Sequence, residues 1–390
     1  MNIAYFEVRL SGITRFPKWV HTHVQELNQE LPLIFFYEQE DIDPSLIDLP
    51  NLNYKLVKIQ EISEKAISKL FKKYSIKKLH VCAQRIPDSF LVAIAKKLSI
   101  KTYMYQHGLY VPFMKRESSL FYKNIYKSYR FLKYAIATAK AIKYSRYKLL
   151  MMYLKIYLFG ANRNEINFPS QLVNVDKVLV YGEFWKDYHF KNLGYSYEQQ
   201  YIVGAPDFTD IPLLREVKTA SKSICYIAQT LVEDGRLNRK KMLTFVDNLS
   251  HAIKENELNL YVRLHPRSDI TLYKNLPDNT VFTNKDFPKT EIYIGHYSSI
   301  LSKATFLSNN IILVDFPGHE IPKYIETVSA LSVEYNEPDL IASSLANFLE
   351  LGVKKGFVLN NLDKQNFYFD SNIFNSSERV AKFILGEDVI

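Results

Sequence analysis

The sequence predicts an α/β protein of two successive Rossmann-like lobes, each a parallel sheet covered by helices, facing a central cleft. Three observations predict it. A chain of 390 residues is longer than one core usually serves. With 47% apolar and 23% charged residues it has the composition of a folded globular protein, not a disordered one. Two series of alternating strand and helix signals are separated by a polar break, the pattern of strands joined by crossover helices.

The opening MNIAYFEVRL has no basic stretch ahead of an apolar run, so residues 3–8 read as a first strand and not as a signal peptide. Residues 17–29 read as a helix and 33–37 as a short apolar strand. Residues 62–74 repeat apolar side chains at helical spacing with Lys on the outer face, an amphipathic helix. Strand 78–83, helix 89–98, strand 101–105 and later strands 175–181 and 200–203 complete lobe 1–210. Within it, residues 114–160 interleave Lys and Arg with Tyr, Phe, Leu and Ile, with no Pro and no Gly before Gly160. This segment has two readings: helices packed on their own lobe, or a helix resting on an anionic bilayer.

Residues 211–222, with Pro212 and the polar stretch REVKTASKS, are the expected linker. Lobe 223–375 follows, with strand 223–228, helix 239–256, strand 259–264, short strands 281–283 and 292–295, helix 299–308, strand 310–314 and helix 337–351. A helix at 376–385, in the terminal stretch 376–390, is expected to cross back onto the first lobe.

Charge narrows the partners. Fifty Lys+Arg against 41 Asp+Glu leave +9, beside 28 Tyr and 25 Phe, which suits phosphorylated small molecules or anionic lipid. No nucleic-acid module is recognisable. Cys82 and Cys225 lie far apart in apolar strands, so they read as buried thiols of a reducing compartment. No run of 18 apolar residues occurs, so no spanning helix is expected. The expectation is a cytoplasmic protein, peripheral on the inner membrane if the second reading of 114–160 holds. Nine scattered histidines show no His-x-x-x-His spacing, and no P-loop or G-x-G-x-x-G occurs, so no metal and no cofactor are expected.

Four clusters stand at the expected C-terminal ends of strands, where open parallel sheets hold ligands. In Gln106-His107-Gly108, the glycine permits a sharp turn that points His107 at a ligand. The stretch from Gln229 to Gly235 carries the adjacent carboxylates Glu233 and Asp234, one of which can act as a general base while mutual repulsion raises a pKa. In Arg263-Leu264-His265-Pro266-Arg267, two guanidinium groups flanking a histidine suit phosphate oxygens, and Pro266 fixes the turn. Gly295-His296-Tyr297-Ser298-Ser299 joins a strand to a helix whose free N–H groups and hydroxyls suit an anion, although plain N-capping would also explain the serines. The last three follow one another at intervals of about thirty residues. That order suits displacement of a nucleotide phosphate from a sugar by an acceptor hydroxyl.

The order acid-acid-Gly, His-Pro, Ser-Ser resembles the motif set of bacterial sialyltransferases, and 229–235 is most similar to the lipooligosaccharide sialyltransferase and polysialyltransferase groups. The resemblance covers mainly 223–310. It implies a GT-B arrangement and an inverting, metal-independent transfer from a CMP-sugar to a glycan acceptor, one carried on lipid included. By resemblance, Asp234 is the general base, His265 the general acid on the CMP phosphate, and Ser298 and Ser299 hold that phosphate. The family's acidic ribose contact falls on Asp286 or Glu291. Gln106-His107-Gly108, with Val180-Tyr181-Gly182-Glu183 and Val203-Gly204-Ala205-Pro206, is more similar to capsule and Kdo transferases or to glycerophosphotransferases. A nonulosonic acid (sialic, pseudaminic or legionaminic) is the expected sugar, with Kdo next. Transfer from CDP-glycerol and a non-catalytic protein binding glycan or membrane are the competing readings.

Overall fold

The computed structural model describes residues 2–14, 32–49, 52–82, 85–106, 108, 121–148, 150–151, 173–284, 286–296, 298–308, 310–316, 331–334, 342, 345, 369–370 and 375–385. The chain divides into two compact units. The first comprises Met1–His107, Tyr122–Thr209 and Gln365–Ile390, and the second Gly108–Phe121 and Asp210–Lys364.

The first unit holds a seven-stranded parallel sheet of β1 (Asn2–Arg9), β2 (Leu33–Gln39), β3 (Tyr54–Lys58), β4 (Ile76–Val81), β5 (Lys101–Tyr105), β6 (Lys177–Val180) and β7 (Gln200–Ile202), in the order 3-2-1-4-5-6-7. Covered parallel strands are expected to be apolar throughout, and Ile3, Ala4, Tyr5 and Phe6 of β1 are all buried. Helix α1 (Glu64–Lys73) starts where the Ser63 hydroxyl accepts from Ala66 N–H at 3.1 Å, and it buries Ile67 and Phe71, one turn apart. Helix α2 (Ile86–Lys97) buries eight consecutive residues, Asp88 to Ala95, as befits a helix enclosed on most sides.

Helix α3 (Phe121–Ala141) lies in the basic segment. Its Tyr134, Ala135, Thr138 and Ala139 are buried, and Arg130 and the Tyr134 hydroxyl both bind Glu38 of β2. One face of α3 therefore packs on its own unit. Helix α4 (Glu183–Leu193) ends at Gly194, whose φ of 70° is the left-handed C-cap that glycine supplies cheaply.

The second unit contains helix α5 (Ile211–Glu216), then β8 (Ala220–Ile227), helix α6 (Arg239–Glu255), β9 (Asn259–Arg263), β10 (Val281–Thr283), β11 (Thr290–Gly295), helix α7 (Ser299–Ala304), β12 (Ile311–Asp315) and β13 (Leu331–Glu334). Its six-stranded parallel sheet has the order 10-9-8-11-12-13, the same winding as the first. Asn238 caps α6 by accepting from Lys240 N–H at 2.8 Å, and Met242, Phe245, Val246, Leu249, Ala252 and Ile253 line its buried stripe. Burial of each larger side chain in such a stripe contributes about 1.5–3 kcal/mol.

Helix α8 (Ser376–Leu385) belongs to the first unit. Phe383 packs edge-on to Tyr103 and beside Tyr201, and Lys78 donates to the Ile384 carbonyl at 3.0 Å, where a cation complements the helix C-terminus. Gly204 makes the contact close. Its φ is 79°, and a Cβ there would lie 2.9 Å from Ser376 Cβ.

The structure departs from the pattern reading in several places. The expected linker 211–222 carries α5 and the start of β8. Strand β3 is an edge strand interrupted by Lys55 and Lys58, a polarity that hid it. Helix α4 was hidden by its aromatic residues on several sides. The helix expected over 299–308 ends at Ala304. The expected helices 17–29 and 337–351 lie outside the described residues, apart from 342 and 345.

Candidate functional site

Both sheets reverse strand order once, between β1 and β4 and between β8 and β11. Chains leaving the carboxyl ends on either side of such a reversal diverge and leave a crevice that takes ligands. In the second sheet, Ile227 of β8 pairs with Arg263 of β9 and with Gly295 of β11. The three motif-bearing loops thus leave three neighbouring strands at one level, on one edge.

The loop after β8 is anchored by the buried Leu231 and Leu237 and turns at Gly235, φ 69°. It presents Asp234 to the loop after β9. Arg267 Nη1 donates to Asp234 Oδ1 at 2.8 Å, Arg267 Nη2 to Oδ2 at 3.2 Å and to Thr230 Oγ1 at 3.1 Å, and Thr230 Oγ1 donates to Oδ2 at 2.9 Å. Burial pushes the Asp234 carboxyl up, but the hydrogen bonds from Arg267 and Thr230 outweigh it and hold the pKa below the ordinary value. The repulsion expected between adjacent carboxylates does not set this group, because Glu233 turns away and accepts Asp269 N–H at 2.6 Å. Glu233 Oε2 is buried without a hydrogen bond among the described residues. Gln229 is half-buried and starts the loop, its carbonyl accepting from Leu231 N–H at 2.9 Å.

His265, Pro266 and Arg267 are exposed. His265 N–H donates to Ser268 Oγ at 3.1 Å, and Arg267 N–H donates to His265 Nδ1 at 3.1 Å. An Nδ1 that accepts cannot carry the proton, so the neutral ring bears it on Nε2. The expected pair of phosphate-binding arginines is not formed. Arg267 is committed to Asp234, and Arg263 is a half-buried last residue of β9 whose pKa is lowered, chiefly by burial, against the opposing charges of Asp286 and Asp210. Its Nε and Nη1 are buried and lack a hydrogen bond among the described residues.

Ser298 caps α7, its hydroxyl accepting Ile300 N–H at 3.3 Å, while Ser299 opens that six-residue helix and only its backbone is described. His296 is a core residue, 1% exposed. Its Nδ1 donates to the Val314 carbonyl at 3.0 Å and Nε2 accepts from the Tyr226 hydroxyl at 3.0 Å. Of the two acidic ribose candidates, Asp286 is three residues past the carboxyl end of β10, and its charge reaches Arg263. Glu291 is the second residue of β11, at the opposite edge of the sheet, and is removed from the cluster by the length of that strand.

In the first unit, His107 lies outside the described residues. Gln106 is buried and braces the sheet edge, its N–H donating to the Leu179 carbonyl and its Oε1 accepting Tyr181 N–H, each at 2.9 Å. A further cluster at this edge escaped the pattern reading. Arg85 binds Glu7 at 2.5 Å and Asp88 at 2.6 and 2.9 Å. Burial lifts the Asp88 pKa to about 6 although Arg85 opposes the shift. Both cysteines are buried, which pushes the Cys225 thiol up to about 12. Among the described residues, no three His, Cys, Asp or Glu side chains group as metal ligands.

No protein-family model matches the sequence, and no curated protein matches it. Solved structures do. A glycosyltransferase from Rickettsia africae is similar with a TM-score of 0.52 at 14% identity, 99% of each chain covered. A UDP-GlcNAc 2-epimerase from Neisseria meningitidis, bound to UDP-GlcNAc, has a TM-score of 0.56 at 11% identity, 99% of each chain covered. The wall teichoic acid polymerase TagF has a TM-score of 0.54 at 12% identity, covering 99% of this chain and 88% of that one. At these identities the likeness concerns the fold alone, and with the two parallel sheets it gives this chain the GT-B fold.

Proposed function

We propose that the protein is an inverting glycosyltransferase that uses no metal and moves a nonulosonic acid from a CMP-sugar to a glycan acceptor. The observation that carries the reading is the shared edge of β9, β8 and β11, where Arg267 bonds both to His265, whose proton is on Nε2, and to the ionised Asp234. In the reaction, the acceptor hydroxyl oxygen attacks the anomeric carbon from the face opposite the phosphate. Its proton passes to Asp234. The bond from the sugar to the phosphate oxygen breaks, and His265 Nε2–H donates a hydrogen bond to the phosphate oxygen of the departing CMP, which leaves as the anion. The three hydrogen bonds to Asp234 use three of its four or so acceptor positions and leave one on Oδ1 for the incoming hydroxyl. In this reading Arg263 and the α7 entrance at Ser298 and Ser299 contribute to holding the phosphate, Asp286 takes the ribose contact, and Gln229 and Gly235 shape the donor loop.

A thermal-shift panel of CMP, CDP, UDP and GDP tests the donor. Stabilisation by CMP, with CMP released from a CMP-nonulosonate in the presence of a glycan acceptor, supports the reading. Preference for UDP, the nucleotide of the epimerase complex, sinks it. The likeness to TagF, together with Gln106-His107-Gly108, favours a second reading: transfer of glycerol phosphate from CDP-glycerol in surface-polymer synthesis. Donor choice separates the two, since only one route consumes CDP-glycerol.

A further inference from the structure

We infer that the outward face of α3 and the residues after it form a docking surface for an anionic phospholipid bilayer. Residues 118–164 contain ten Lys and Arg and no Asp or Glu. The whole chain carries +9, so everything outside this segment balances to within one charge. The positive excess of the protein is therefore concentrated in one stretch.

The fold turns part of that stretch outward. While Tyr134, Ala135, Thr138 and Ala139 face the unit's interior, Tyr129, Lys133, Ile136 and Lys140 are exposed at the spacing of a single helix face. Tyr129 is 64% and Ile136 48% exposed. With Leu132 they form one wall of a groove of about 800 Å³ whose other wall is α1, with Ile62 and Lys65. Past α3, exposed Lys143, Arg146 and Lys148 adjoin Tyr147, Leu150 and Met151, which are 70%, 54% and 39% exposed. An exposed patch of this kind marks a partner surface.

Its composition identifies the partner. A soluble polyanion such as nucleic acid is met by cations, and aliphatic side chains such as Ile136 and Leu150 gain little from phosphates. The boundary between head groups and acyl chains rewards both, with lysine ammonium groups at the phosphates and apolar side chains just below them. No helix among the described residues is long and apolar enough to cross a membrane, and the contact inferred here is one at the bilayer surface. The inference stands on charge and exposure alone and is independent of the donor chemistry, because vesicle binding is read without substrate.

Co-sedimentation of the full chain with vesicles tests it, using phosphatidylcholine alone or with about one third phosphatidylglycerol. Binding is expected only to the anionic vesicles and should be lost as salt is raised to about 0.5 M. Each lysine near the surface adds about fivefold to partitioning, so Lys133→Gln with Lys140→Gln should weaken binding by roughly 25-fold. Tyr129→Ser with Ile136→Ser should weaken it by about tenfold at unchanged charge, with the melting temperature kept in both pairs. Equal binding to neutral vesicles, or no effect of the lysine pair, overturns the inference. So does parental vesicle binding by the Tyr129/Ile136 pair, which would leave a surface that responds to any polyanion.

Discussion

The two sheets share one winding, yet their carboxyl edges hold charges in different surroundings. In the first unit, Glu7, Arg85 and Asp88 meet at the edge in a largely buried cluster, and burial pushes Asp88 up to about 6. In the second, Asp234 and Arg267 pair in partial contact with solvent, and the Asp234 carboxyl is held down. The same pair of charges is thus expensive in one place and favourable in the other, because desolvation dominates in the interior and hydrogen bonding at the rim. The lesson is that winding places the edge, and burial decides whether the charges there are desolvated or reach solvent.

The largest effect expected from this contrast is on stability. Arg85→Ala leaves two buried carboxylates without their cation and should cost about 3–5 kcal/mol in urea unfolding. A loss below about 1 kcal/mol would mean that the first edge is wetter than its packing implies. At the second edge the same class of change should act on chemistry instead. His265→Ala should lower turnover by about 10²–10⁴-fold while leaving the unfolding midpoint where it was. Unaltered turnover in that variant removes His265 from the reaction. Asp234→Asn should depress turnover more than nucleotide affinity; an equal loss of both would assign it a structural role through Arg267.

Next comes Gly204→Ala, where the positive φ and the approach of Ser376 should together cost about 1–3 kcal/mol by loosening α8 from the first unit. A neutral result would show that α8 shifts without loss. Stability should also depend on pH. A carboxyl whose folded pKa is raised, as at Asp88 from 3.8 to about 6, contributes stability that is fully present below 3.8 and lost as pH rises through about 6. Asp234, held below 3.8, contributes stability present above that value and lost as pH falls past its folded pKa. Asp88→Asn should therefore flatten the decline of stability between about pH 4 and 6, measured by thermal melts, whereas Asp234→Asn should leave that slope alone. An unchanged slope in Asp88→Asn would contradict the burial argument.

How much was legible beforehand follows from the range of each interaction. Strands β1, β5, β8, β9, β11 and β12 each contain an apolar run of three or four residues, and that pattern is local, so it can be read along the chain. Strand β3 could not be read this way, because an edge strand half in solvent tolerates Lys55 and Lys58. The three motif loops were legible as short clusters at strand ends. The bond from Arg267 to Asp234 was not, since it joins side chains 33 residues apart, and it removes from phosphate binding a residue that the sequence nominates for it. Glu291 looked as suitable as Asp286 in the sequence, and strand direction alone separates them. Glu7 and Arg85 lie 78 residues apart and share no motif.

By itself, the order of residues determined that this protein would be two parallel α/β units with polar motif loops at their strand ends. Apolar periodicity and turn residues act over a few neighbours, so they are written in the chain. Which carboxylate is ionised, which arginine is already spoken for, and which nitrogen of His265 bears the proton were decided only by tertiary structure. Those depend on burial and on partners that folding brings together from distant parts of the chain.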